Sequence, residues 1–167
     1  WNFVFASYQK ERILGFLDPN YDPLGVNYSV SQAKIAIGAG GFFGKGFRQG
    51  TQTQLGFLTE PGTDFIFAAI GEEWGFFGIT LVSGAFLFLL VRIARVGLRS
   101  EQGFIQFICL GTAILFLAEF ILNVGSNLGL LPVVGVTFPF LSYGGSSLLT
   151  KTLLLGIIQS TARHSSF

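Results

Sequence analysis

The sequence predicts an all-α integral membrane protein, from its composition, from where its charges fall, and from a basic cluster closing one apolar run. Of its 167 residues, 50% are hydrophobic, 11% are charged and 20 are Phe, far from the usage of water-soluble domains. No charge falls between Trp74 and Val91, and none between Phe120 and Thr150. Apolar runs of that length can cross a bilayer as helices. Arg92, Arg95 and Arg99 end the first run, and by the positive-inside rule that end faces the cytoplasm.

Three membrane helices follow from these landmarks. The first runs from about Phe65 or Trp74 to Leu90, the second over roughly 104–127 and the third over roughly 142–162. Between the last two, residues 129–141 hold Pro132, Gly135 and Pro139. That segment is too short to cross as a helix and too apolar for an ordinary loop, so a re-entrant segment buried against protein is expected. The chain thus divides into an external loop region, 1–63, and a membrane region, 64–167. Residues 1–7 read as the stub of an earlier span. With no Met in the sequence and no leader pattern, the chain reads as the C-terminal part of a larger polytopic bundle.

Within the external region, Tyr8, Ile13, Phe16 and Leu17 alternate with Gln9, Lys10, Glu11 and Arg12, which predicts a short amphipathic helix at an interface. Turn residues fill 18–25, and a second helix is expected over 29–37. A glycine-rich stretch follows from Gly38 to Gly56, with Lys45 and Arg48. Its backbone can approach a ligand closely and donate N–H groups. It lacks the Lys-Ser/Thr ending of a nucleotide-binding loop.

A net charge of +1 and the lack of a basic face exclude nucleic acid as a partner. Cys109 lies in an apolar run and His164 is the one histidine, so neither a zinc site nor a Cys-His or Ser-His-Asp nucleophile is expected.

The residues able to carry chemistry are carboxylates and cations near the outer surface. Thr63 or Asp64 can cap the first span, whose positive end favours a carboxylate. Alternatively, Asp64 beside Glu60, Glu72 and Glu73 is a partly buried base able to take a proton from a substrate hydroxyl. Glu72 and Glu73 also suit a structural polar contact, because intramembrane carboxylates pair. Lys45, Arg48, Lys34 and Arg12 form a cationic set suited to phosphate or pyrophosphate, or are solvated loop charges. Glu119 and Lys151 interrupt apolar spans at similar depth. An isolated charge in a span costs about 2.5–3.5 kcal/mol on insertion scales, so the two are expected to pair.

Over nearly its whole length the sequence resembles the second half of the SEDS family of polytopic cell-wall proteins. The resemblance rests on Asp18-Pro19 with Asp22-Pro23-Leu24-Gly25, Gln32-Ala33-Lys34-Ile35-Ala36-Ile37-Gly38, Thr63-Asp64-Phe65-Ile66-Phe67-Ala68 with Glu72-Glu73, Leu131-Pro132-Val133-Val134-Gly135-Val136, and Ser142-Tyr143-Gly144-Gly145-Ser146-Ser147. Gly44-Lys45-Gly46 with Gly50-Thr51-Gln52 points to the RodA-like elongation branch. Leu58-Thr59-Glu60-Pro61 departs from the family, which usually has Pro directly before the Glu, as do the charges Glu119 and Lys151.

The resemblance implies a bundle of about ten spans in the bacterial cytoplasmic membrane, with residues 8–63 outside. It implies a peptidoglycan glycosyltransferase that polymerises lipid II for cell elongation, working in the lipid membrane with a class B penicillin-binding protein and other elongation-complex membrane proteins. The family's essential aspartate falls on Asp64. Candidate substrate-binding residues are Lys45, Arg48, Lys34, Glu60, Thr63, Glu72, Glu73, Ser142 and Tyr143. No cofactor is required by these residues, although a divalent cation, magnesium or manganese, is chemically reasonable beside Asp64. The alternatives are a flippase for the same lipid-linked precursor, which would use mid-membrane charges such as Glu119 and Lys151, and a non-catalytic scaffold. This chain alone is expected to be inactive, lacking half of the cavity.

Overall fold

A computed structural model of the chain describes Arg12, residues 14–16, Asp18, Gly25 and residues 27–164, the side chains of 163 and 164 excepted. The expected stub over 1–7, most of the amphipathic helix over 8–17 and most of the turn segment 18–25 lie outside the described residues; Arg12 and residues 14–16 are helical. Among the described residues five helices follow: α1 Tyr28–Gly40, α2 Thr51–Gln54, α3 Ile66–Arg99, α4 Gly103–Asn127 and α5 Gly145–His164. Among the described residues there is no strand.

The short link between α3 and α4 makes them antiparallel neighbours. Ser100 shapes that link: its N–H donates to Gly97 O (3.2 Å) and its carbonyl accepts from Gln106 Nε2 (2.8 Å). The core joins Phe86, Leu90 and Ile93 of α3 to Cys109 and Phe116 of α4 and Ile158 of α5. Phe138, from the irregular segment between α4 and α5, plugs the centre. Its ring lies 6.4 Å from that of Phe67, 5.6 Å from Phe86 and 5.4 Å from Phe120. Between apolar helices in lipid, close packing and interhelical hydrogen bonds hold elements together, because lipid is as apolar as the side chains.

A second cluster sets α1 across the start of α3. Ala33 and Ala36 of α1 are fully buried against Phe65, Ala68, Ala69 and Leu58. These positions, with Gly40, share one helix face. Small residues there let the backbones touch: a Cβ on Gly40 would overlap the Gly71 carbonyl.

α3 has 34 residues, about 51 Å of helical rise against a hydrocarbon core about 30 Å thick. It is broken at Gly75, which adopts φ 66°, ψ −161°, a conformation essentially restricted to glycine. The break removes the helical partners of four backbone groups, and the glycine-rich loop replaces them. Phe76 N–H donates to Gly41 O (2.9 Å) and Phe77 N–H to Phe42 O (3.0 Å), while Lys45 N–H donates to Glu72 O (3.0 Å) and Gly46 N–H to Glu73 O (3.0 Å). Two of the loop's donors, the Lys45 and Gly46 N–H groups, are therefore spent on the broken helix. Glycine is required by this contact: a Cβ on Gly44 would strike the backbone of Glu73, and one on Gly75 the backbone of Gly44 and Phe42.

Among the described residues, α3 and α4 are long and apolar enough to cross a membrane. α5, expected as the third span, is helical over 20 residues but falls short of that measure, because Thr150, Lys151, Thr152, Gln159 and Ser160 interrupt its apolar face. Its lysine is compensated. Lys151, 4% exposed, places Nζ 2.9 Å from Glu119 Oε2, an ion-pair contact whose angle falls outside that of a hydrogen bond. Lys151 Nζ also reaches Thr137 Oγ1 at 3.5 Å. The charges that broke the apolar pattern thus meet.

The patched break makes a stability prediction. Gly44→Ala and Gly75→Ala should each lower the stability of the full-length protein by about 1–3 kcal/mol, the cost of a residue forced into such backbone. Gly111→Ala on α4, with nothing near its Cβ position, should be neutral or mildly stabilising. Thermal unfolding in detergent measures this; equal losses at all three positions would contradict the patch.

Candidate active site

Asp64 sits at the turn that leads into α3. The first turn of any helix leaves N–H groups without helical partners, and the expectation was that Thr63 or Asp64 caps them. The structure corrects this: Phe65 occupies the N-cap position, with no side-chain cap bond of its own. The cap arrives from α4 instead. Ala68 N–H donates to Asn127 Oδ1 (3.1 Å). The same amide's Nδ2 donates to the Asp64 carbonyl (2.9 Å) and to Asn123 O (2.8 Å). Asn123 Nδ2 donates to the Asp64 carbonyl as well (3.0 Å) and to Val136 O (2.8 Å). Both asparagines are buried, Asn123 1% and Asn127 0% exposed, where unmade hydrogen bonds are costly. Two side chains on one face of α4 therefore fix the Asp64 backbone.

Two further strands of hydrogen bonding hold the same turn. Ser142 Oγ donates to Thr63 O (2.6 Å) and accepts from Phe138 N–H (2.8 Å), and Tyr143 N–H donates to Gly62 O (2.7 Å). Ser142 is 7% exposed and its hydroxyl is committed to these contacts. The Tyr143 side chain is 87% exposed. Thr63 Oγ1 lies 3.4 Å from Glu60 Oε2.

With its backbone held, Asp64 is left with a carboxylate that no described residue hydrogen-bonds. A Cβ on Gly135 would come within 3.4 Å of Oδ2, so the 129–141 segment passes beside the acid at a glycine. Burial, and secondarily the Glu60 charge, push the Asp64 carboxyl above its ordinary value of 3.8, while Arg12 pulls it down. A carboxylate poised in this way is a better proton acceptor than a solvated one.

Arg12 and Lys34 line one small solvent-open groove, together with Asn27, Ser31, Gly129 and Val133. Arg12 Nη1 donates to Val133 O (2.8 Å). The Lys34 ammonium folds over Gly129, where a Cβ would displace it, and it forms no ion pair among the described residues. The structure therefore associates Arg12 with both the groove and Asp64.

The other cations are placed differently. Lys45 Nζ lies 3.0 Å from Glu72 Oε1 and 2.8 Å from Thr51 Oγ1. Glu72, fully buried, also accepts from Gln52 N–H (2.9 Å), Thr53 N–H (2.9 Å), Thr51 Oγ1 (3.2 Å) and Thr53 Oγ1 (2.8 Å). Glu72 thus binds the start of α2 and neutralises Lys45, which makes the pair a structural knot. It also explains why Gly44-Lys45-Gly46 and Gly50-Thr51-Gln52 occur together: both are partners of one carboxylate. Arg48, exposed and at φ 57°, stands over the Phe47 ring at 5.7 Å. Glu73 contributes its carbonyl to Gly46. Among the described residues no three His, Cys, Asp or Glu side chains gather as a metal site.

The profile of the FtsW/RodA/SpoVE family, described as cell cycle protein, matches residues 1–167. The chain belongs to this family. It is 44% identical over 155 residues to the probable peptidoglycan glycosyltransferase FtsW of Trichlorobacter lovleyi, covering 93% of this chain and 40% of that protein. It is 42% identical over 164 residues to the peptidoglycan glycosyltransferase MrdB of Escherichia coli K12, covering 98% and 44%. A chain from a solved peptidoglycan synthase complex, described as showing structural coordination of polymerization and crosslinking, superposes with a TM-score of 0.76 at 32% identity, over 96% of this chain and 43% of its own length.

This member of the FtsW/RodA/SpoVE family therefore spans less than half the length of those relatives. With α3 and α4, membership makes it part of a membrane protein. The relatives bear FtsW and MrdB names at nearly equal identity, and a sporulation relative, stage V sporulation protein E of Bacillus subtilis, follows at 40%. Assignment to the elongation branch accordingly remains a proposal. Sequence reasoning missed Asn127, Thr51 and Thr53. Two asparagines one helical turn apart near the end of an apolar span were the available signal for a buried amide clamp.

The raised carboxyl gives a pH prediction with a definite sign. Because the fold prefers protonated Asp64, stability should fall as pH rises from 3.8 through the raised value. At neutral pH, Asp64→Asn should therefore melt at or above the wild-type temperature, and the difference should vanish in acid below 3.8. A variant clearly less stable than wild type at neutral pH would contradict it.

Proposed function

We propose that the full-length protein containing this chain is an inverting peptidoglycan glycosyltransferase of the bacterial cytoplasmic membrane, polymerising lipid II on the outer face with Asp64 as its base. The observation that carries the proposal is the Asp64 carboxylate itself: backbone clamped by Asn123 and Asn127, side chain unused by the fold, pKa raised by burial, and acted on by the charge of Arg12. In this reading Asp64 takes the proton from the acceptor sugar hydroxyl as that oxygen attacks the donor's anomeric carbon. The bond to undecaprenyl pyrophosphate breaks and its electrons leave with the pyrophosphate. Inversion needs no covalent glycosyl-enzyme, so one carboxylate suffices.

The departing pyrophosphate needs positive charge. The placement favours Lys34, which forms no ion pair among the described residues, for that role over Lys45, which is balanced by Glu72, and Arg48, which stands over Phe47. Magnesium or manganese, if bound, would be held by Asp64 and would supply positive charge for the leaving pyrophosphate. Orientation follows from Arg92, Arg95 and Arg99 on the cytoplasmic side. Residues 8–63 then lie outside, α5 crosses as a third span once Lys151 is paired with Glu119, and residues 129–141 are re-entrant. Partners are lipid II, surrounding membrane lipid, a class B penicillin-binding protein and other elongation-complex membrane proteins.

The test uses the full-length protein with its crosslinking partner and lipid II, reading glycan strands on gels. Asp64→Asn, folded as wild type, should lose on the order of 10²–10⁴-fold in rate, and Lys34→Ala should lose less, through kcat, as its stabilisation of the leaving pyrophosphate goes. Polymer from both wild type and Asp64→Asn would remove Asp64 as base. No polymer from either, with lipid II crossing the bilayer, would replace this reading with the flippase.

A further inference from the structure

We propose that the loop from Gly41 to Arg48 is a rigid lipid-inserting finger, with Phe43 and Phe47 among the acyl chains of the leaflet opposite the Arg92, Arg95 and Arg99 cluster and Arg48 at lipid headgroup phosphates. The inference goes beyond the glycosyltransferase reading and rests only on α3 spanning the membrane. It starts from an oddity of exposure: Phe42, Phe43 and Phe47 are 58%, 79% and 69% exposed. Large rings left in water on a loop are unfavourable, and a contiguous apolar patch marks a contact surface.

The patch is not confined to the loop. Phe42 packs edge-on against Phe43 at 4.9 Å and lies 6.0 Å from the ring of Phe76 on α3. Trp74, Phe76 and Phe77, at 52%, 59% and 53% exposure, carry it onto the span. Depth then follows from geometry. Beyond the break at Gly75, Phe76 precedes Arg92 by about 24 Å of helical rise, less than the roughly 30 Å of hydrocarbon, and tilt only brings it deeper. Since Phe76 N–H and Phe77 N–H are bonded to the carbonyls of Gly41 and Phe42, the tip of the loop is pinned at the same level.

Irregular backbone at that depth is tolerated where its polar groups are satisfied by protein. The four bonds that patch the α3 break satisfy the Gly41 and Phe42 carbonyls and the Lys45 and Gly46 N–H groups, and Gly44 N–H returns to Gly40 O (2.8 Å). The charged groups next to the finger are ordered as an interface requires: Lys45 is neutralised by buried Glu72, and Arg48 extends over the Phe47 ring. A guanidinium on an aromatic face beside an apolar patch suits the headgroup level, where long basic side chains reach outward from hydrocarbon.

The experiment places a spin label at Phe43→Cys or Phe47→Cys in the full-length protein, other cysteines replaced, reconstituted in bilayers of phosphatidylethanolamine and phosphatidylglycerol. Oxygen should relax the label more strongly than a water-soluble nickel complex, as at a lipid-facing site. Stronger relaxation by nickel would place the loop in water and overturn the proposal. Protection from both reagents would mean that protein covers the patch, which overturns it equally. Where labelling impairs folding, Phe43→Trp with acyl-brominated lipid reads the same depth by fluorescence quenching, and absence of quenching counts against insertion. A label at Phe88, in the middle of the apolar run, separates failure of the finger from failure of the span: nickel access there would refute the span itself.

Discussion

At the start of α3 the Asp64 carbonyl and the Ala68 N–H have to be satisfied away from bulk water, and the amides of Asn123 and Asn127 do it. Between them they bond the Asp64 carbonyl twice, the Ala68 N–H and the Val136 carbonyl. The consequence is a division of labour within one residue. Asp64 is positioned through its main chain, so its carboxylate need not serve as the cap that local preference would make it. Loss of the Asn127 amide would strand the Ala68 N–H and loss of the Asn123 amide the Val136 carbonyl, at about 1–3 kcal/mol each, and the Asn123 loss would also untie the Asp64 turn from the 129–141 segment. Structure and chemistry here depend on the same contacts.

The Gly75 break is the complementary constraint. An unbroken helix would leave no place for the glycine-rich loop; a break without the loop would leave backbone groups unpaired at membrane depth. The two solve each other, and Glu72 fastens the arrangement by gathering Lys45, Thr51, Gln52 and Thr53. This knot lies in the helix that the Asp64 turn opens, and the Ala33–Ala36 face of α1 packs across the start of the same helix.

Much of this was legible in the sequence where a single strong cost governs. Charge in apolar runs is expensive, so the positions of α3 and α4 and the pairing of Glu119 with Lys151 could be read directly. Helix α1 and the irregular 129–141 segment followed from turn residues and glycines. Where two mechanisms compete locally, reading failed. Glycine spacing announced close backbone approach without saying to what, and Gly44 makes that approach to α3. Thr63 and Asp64 had cap-forming side chains, but Asn127, distant in sequence, won that role. Lys45 looked like a free phosphate ligand because nothing local predicts that Glu72 turns toward it. Arg12 and Lys34, separate in the chain, line one groove only through the packing of α1 on the segment after α4.

The claim that matters most is that the clamped, partly buried Asp64 is the proton acceptor, and the pH dependence of single-turnover polymerisation by the full-length complex tests it most directly. The account predicts an acidic limb with an apparent pKa above 3.8, the ordinary value from which the fold raises this group, retained in Asp64→Glu and absent from the residual rate of Asp64→Asn. A limb that persists unchanged in Asp64→Asn would assign the proton to another group and contradict the account.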